Sequence, residues 1–105
     1  MIKVQVKRNH SSQELIVSGH AKFGLHGKDL VCAGVSCILF GGINALSKYQ
    51  KGTEWFEIKG NLITIVIAQH NHETEIILET ILFQLQTIEE SFPENIKIIQ
   101  EVWKC

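Results

Sequence analysis

Trp55-Phe56-Glu57-Ile58-Lys59-Gly60-Asn61-Leu62-Ile63-Thr64-Ile65-Val66-Ile67 is the stretch that decides the fold. Two β-rich runs are separated by Gly60-Asn61 alone, the spacing and composition of a tight hairpin. The second run is β-branched almost throughout, which predicts a central strand. A hairpin makes its two strands antiparallel neighbours, so the sheet is expected to be mainly antiparallel.

The flanking segments extend this reading. Ile2, Val4 and Val6 alternate with Lys3, Gln5 and Lys7, the pattern of a strand buried on one face. Asn9-His10-Ser11-Ser12 is a turn cluster, and Leu15-Ile16-Val17-Ser18 reads as the returning strand. Asp29 opens an apolar segment that runs to about Tyr49. It predicts a helix apolar nearly all round, hence a central, buried one. Gly41-Gly42 lowers helix propensity by about 1 kcal/mol per glycine, which predicts close packing against a neighbouring backbone. Lys48 and Lys51 suit the negative end of the helix dipole, and Gly52 suits the stop.

A second helix is expected from about Glu73 to Ser91. Ile77, Leu78, Ile81, Leu82, Leu85, Ile88 and Phe92 form its apolar stripe, Asn71 its N-cap and Phe92-Pro93 its end. Ile96, Ile98, Gln100 and Val102 suggest a last strand. The order ββαββαβ describes an α+β fold of two layers, a mainly antiparallel sheet with two helices packed on it, in one domain over residues 1–105.

Composition narrows the function classes. The 105 residues are 45% hydrophobic and 20% charged, with a net charge of -1. That balance belongs to a globular chain and leaves no electrostatic footprint for direct contact with nucleic acid. No stretch reads as a membrane span, and Met1-Ile2-Lys3-Val4 begins directly with a strand pattern rather than a signal peptide. Cys32, Cys37 and Cys105 are odd in number and lack CxxC spacing, as suits a reducing compartment. These features predict a cytoplasmic protein. Cys105 is assigned no role.

Chemistry is concentrated in Gly19-His20-Ala21-Lys22-Phe23-Gly24-Leu25-His26-Gly27-Lys28-Asp29-Leu30-Val31-Cys32. It sets His20 at the end of a strand and Cys32 in the first turn of a helix capped by Asp29. Unpaired backbone N–H groups and the positive dipole end stabilise an anion there, which lowers a thiol's pKa and can hold an oxyanion. Gly24 and Gly27 suit a mobile loop or one whose backbone comes close to a substrate. Ser36 lies one turn beyond Cys32 on the same face and could orient His20 or a water. Cys37 is expected to point elsewhere, into the helix's apolar surroundings. Acyl transfer to cysteine followed by hydrolysis is the reaction class that fits.

The same residues have plainer readings. A cysteine at a helix start can be a small packing hydrophobe, and a histidine at a strand end a solvated surface residue. Asp29 can be a cap alone, and Ser36 a hydroxyl satisfied by its own helix. His20, His26, Cys32, Cys37, His70 and His72 are metal-ligand types in unsuitable spacing, so no metal and no cofactor is expected. Gly27-Lys28 lacks the pattern of a phosphate loop.

At Gly19-His20-Ala21, Gly24, Gly27, Asp29-x-Val31-Cys32-Ala33 and Val35-Ser36 the chain resembles the ribosomal-processing cysteine protease Prp family. Chain length and element order are similar over nearly the whole sequence. The resemblance implies an endopeptidase that removes the N-terminal extension of a large-subunit ribosomal protein of the bL27 type, cutting after an aromatic residue. It implies Cys32 as nucleophile, His20 as general base, and supporting or loop roles for Gly19, Gly24, Gly27, Asp29 and Ser36. It also implies a homodimer. His26 and Cys37 depart from the pattern expected of many members. The competing reading is a non-catalytic ribosome-associated binding protein.

Overall fold

Alternation in the first strand, β1 (Ile2–Arg8), sends Ile2, Val4 and Val6 to one side, where all three are buried. The computed structural model describes residues 1–9, 12–19, 30–49, 54–69 and 71–102. β2 (Gln13–Ser18) returns antiparallel, with Arg8 opposite Gln13 and Lys3 opposite Ser18. Asn9 organises the turn. Its backbone N–H donates to the Ser12 carbonyl at 3.0 Å, and its side-chain oxygen accepts from the Ser12 N–H at 2.8 Å. The remaining elements are α1 (Leu30–Tyr49), β3 (Glu54–Lys59), β4 (Leu62–Ile67), α2 (His72–Ser91) and β5 (Ile96–Val102), in the expected order.

The five strands lie in the order β3-β4-β2-β1-β5. All neighbours are antiparallel except β5, which runs parallel to β1 with Ile2 opposite Ile96. β4 is an interior strand, as its composition predicts. Gly60 takes a φ of +61° in the two-residue hairpin that sets Lys59 opposite Leu62. On the sheet's outer face the register aligns Glu101, Lys7 and Glu14, an alternation of charge across three strands.

The inner face and the helices make one core. Val4, Val17 and Ile63 stand opposite one another across β1, β2 and β4, each 0% exposed. The helices cover this face with Val35, Leu39 and Leu46 of α1 and Leu78, Ile81, Leu82 and Leu85 of α2. Each such side chain contributes about 1.5–3 kcal/mol when fully buried. A reciprocal capping box starts α2. The Asn71 side chain accepts from the Thr74 N–H at 2.9 Å, and the Asn71 N–H donates to Thr74 Oγ1 at 2.9 Å. Near its other end, Glu89 Oε2 accepts from the Ile98 N–H at 2.8 Å, filling a donor on the sheet-edge strand β5.

α1 departs from expectation in three ways. It is not buried on all sides: Val31, Val35, Leu39 and Leu46 face the core, while Leu30 is 75% and Phe40 37% exposed. A two-layer domain offers a helix one sheet face and one neighbouring helix, so its third side stays open. Contrary to the sequence reading, this helix is long and apolar enough to cross a membrane by length and composition. Its buried stripe and its packing against α2 make it a core helix here. Finally, the close approach at the glycine pair is to a side chain, not a backbone. A Cβ on Gly42 would meet Ile81, with Cγ1 at 2.8 Å, whereas a Cβ on Gly41 would meet nothing.

Gly19 ends β2 at a φ of +76°, and a Cβ there would collide with the Met1 carbonyl oxygen. Only glycine takes this conformation and this approach without strain.

Three expectations about stability follow from these glycines. Gly41→Ala should raise unfolding free energy by about 0.5–1 kcal/mol through helix propensity. Gly42→Ala should lower it by about 1 kcal/mol, because overpacking against Ile81 outweighs the same gain. Paired urea titrations check the opposite signs. Gly19→Ala should cost about 2 kcal/mol or more, combining left-handed strain with displacement of Met1, and the same titration reads it.

Candidate active site

The helical repeat of α1 turns Val31 into the core and leaves Cys32 half-buried beside it, packed on the core's edge. Cys32 sits in the first helical turn, where backbone N–H groups have no helical acceptor. Among the described residues, that turn carries no acidic side chain. The thiol therefore occupies the place in a helix that best stabilises negative charge.

A pocket of about 180 Å³ opens at this point, lined by Met1, Ile2, Gly19, Val31, Cys32, Glu94 and Asn95. Among the described residues, three chain segments besides α1 build it: the start of β1, the end of β2, and the turn before β5. Two close contacts hold them together. The Ile2 N–H donates to the Asn95 carbonyl at 2.8 Å, and Gly19 lets β2 end against Met1. The turn itself is fixed to α2, since the Asn95 N–H donates to the Phe92 carbonyl at 2.9 Å. A carbonyl carbon seated here would lie beside a thiol and next to helix-start N–H groups, the arrangement that thiol acyl transfer requires.

Of the residues singled out from sequence, Cys32 and Gly19 come together in this pocket. Ser36 is half-buried one turn further along α1 and is not among the pocket's lining residues. Cys37 does point away from Cys32, but not into apolar interior. It is exposed, at the side of a groove of about 390 Å³ between α1 and α2. The reason is the open third side of α1. His20, Gly24, His26, Gly27 and Asp29 lie outside the described residues, as do His70 and Cys105. His72 is exposed at the start of α2.

Sequence reasoning missed Met1, Ile2, Glu94 and Asn95 as pocket residues. Phe92-Pro93 signals the end of α2, but nothing local says that the following turn lies beside Cys32. That follows only from β5 pairing with β1.

Comparison with known proteins agrees with this architecture. Residues 1–97 match the family model for cysteine protease Prp. The chain is 37% identical over 103 residues to the ribosomal processing cysteine protease Prp of Staphylococcus aureus, covering 93% of this chain and 97% of that one. It is 29% identical over 115 residues to the protein of the same name from Bacillus subtilis, covering 97% and 99%. A crystal structure of the S. aureus protease with a covalently linked product peptide superposes with a TM-score of 0.83 at 36% identity, covering 96% of this chain and all of that one. A thiol at a helix start, a pocket before it, and this likeness over nearly the full length lead to one conclusion: the chain belongs to the cysteine protease Prp family and is a cysteine peptidase.

Proposed function

We propose that this peptidase removes the N-terminal extension of a bL27-type large-subunit ribosomal protein, with Cys32 as nucleophile and His20 as general base. The observation that carries the proposal is the placement of Cys32, in the first turn of α1 and on the wall of a 180 Å³ pocket. The S. aureus relative, crystallised both with a substrate peptide and with a covalently linked product peptide, supports a covalent route on a peptide substrate.

His20 takes the thiol proton, and Cys32 Sγ attacks the scissile carbonyl carbon. Backbone N–H groups at the start of α1 stabilise the oxyanion. The C–N bond breaks as the His20 imidazolium returns the proton to the leaving amine. Water, deprotonated by His20, then adds to the thioester carbonyl, and collapse of the tetrahedral intermediate expels the Cys32 thiolate and frees the new carboxylate. Gly19 sets the backbone that leads into His20. Gly24 and Gly27 allow the loop between His20 and Cys32 to order over the substrate, Asp29 caps α1, and Ser36 supports the site from one turn below. No cofactor enters the route.

The protein acts in the cytoplasm as a single domain and forms a homodimer, without membrane attachment or direct contact with nucleic acid. Support for the dimer comes from the open side of the helix layer. Phe40, Ile76 and Phe83 are 37%, 52% and 61% exposed there, a set of large apolar groups that a second copy would cover.

A peptide spanning the extended N-terminus of the ribosomal protein should be cut once by the wild-type enzyme, as read by mass spectrometry. Cys32→Ala should lose cleavage by about a thousandfold or more, and His20→Ala by about a hundredfold or more. Binding of that peptide without cleavage by wild type would instead favour the non-catalytic role. Light scattering at micromolar concentration should give about twice the 11.9 kDa chain mass, and Phe83→Asp should return it to one chain.

A further inference from the structure

Glu94 is the one charged side chain among the described residues that line the Cys32 pocket. It belongs to the short turn between α2 and β5, and that turn is tied at both ends. The Asn95 N–H reaches back to the Phe92 carbonyl at 2.9 Å, and the Asn95 carbonyl accepts from the Ile2 N–H at 2.8 Å. Pro93 restricts the backbone just before it, and Ile96, just after the turn, is 0% exposed. The backbone under Glu94 is thus anchored while its side chain is exposed. Among the described residues no hydrogen bond or ion pair occupies its carboxylate.

A fixed anchor carrying a carboxylate with no partner among the described residues places a negative charge at the pocket wall. Glu94 and Cys32 line the same pocket, so a peptide seated with its scissile carbonyl at Cys32 is bound beside this carboxylate. We propose that Glu94 is a specificity-determining residue, which selects a Lys or Arg side chain close to the scissile bond and disfavours an acidic one. The proposal rests on the reading of Cys32 as a peptidase nucleophile. An exposed carboxylate acting on a cation a few ångströms away discriminates by about 5–10-fold. The preference weakens with salt, because the screening length falls from about 10 Å at 0.1 M to about 3 Å at 1 M.

The test uses peptides built on the extended N-terminus of the ribosomal protein, carrying Lys, Gln or Glu at each of the three positions on either side of the cut. Cleavage by the wild-type chain gives a Lys-over-Glu ratio of kcat/KM, and fluorescence anisotropy on Cys32→Ala gives the matching ratio of affinities. At one position at least, both ratios should be about 5–10. Glu94→Lys should invert them, and 1 M salt should flatten them. Glu57→Lys makes the same change in net charge on β3, at the opposite sheet edge, and should leave them in place. Ratios near one at every position, or a preference that survives Glu94→Lys, overturn the proposal. So does failure of Cys32→Ala to bind any of the peptides. If the wild type cuts none of them while Cys32→Ala still binds with a Glu94-dependent charge preference, Glu94 keeps its role and the peptidase reading of Cys32 falls.

Discussion

β1 is paired on both edges, antiparallel to β2 and parallel to β5, and the rest of the molecule takes its alignment from that double pairing. Its first backbone N–H, at Ile2, reaches the Asn95 carbonyl, which locks the turn before β5 to the start of the strand. Its neighbour β2 must end against Met1, and only glycine at position 19 allows that approach. Both constraints act at the same end of the strand, and the first turn of α1 lies there too. Among the described residues, strand register therefore sets the pocket before Cys32.

The apolar character of α1 has a cost that the fold only partly offsets. Val35, Leu39 and Leu46 are fully buried, but Leu30 and Phe40 remain open to water. At about 25 cal/mol per Å² of apolar surface, covering that face would add to stability. The helix does not become a membrane span for being apolar, because its core stripe is already committed to the sheet and to α2. What remains is apolar surface on the helix layer that neither the sheet nor α2 covers.

Local chemistry in the sequence was enough to read the elements. Alternation in Ile2, Val4 and Val6, Gly60-Asn61 between β-branched runs, and Asn71 before a helical stripe each act within a few residues, and each appears where expected. The candidate nucleophile was also legible, because the first turn of a helix can be recognised from its cap and its apolar run. The parallel partner of β1 was not. Ile96 and Ile98 announce a strand but say nothing of which neighbour it joins, since register between segments some 90 residues apart is decided by the whole sheet. Glu94 and Asn95 were missed for that reason. Gly41 and Gly42 look alike in sequence and differ in structure because helical rotation brings only one of them under Ile81.

Two cysteines on one helix show how position sorts identical chemistry. Cys32 and Cys37 are five residues apart and both accessible in part. Around Cys37, well inside α1, the helix spends its N–H groups on its own carbonyls. The exposed side chain lies at a groove walled by Ile38, Ala45, Ile76 and Ile77. Around Cys32 the helix-start N–H groups lack helical acceptors, and the pocket before it is walled by strand ends and a polar turn. Thiol catalysis needs an anion stabilised before attack and an oxyanion stabilised after it, and the first turn of α1 can serve both needs. The midpoint of the same helix, where the N–H groups are already spent on carbonyls, offers neither.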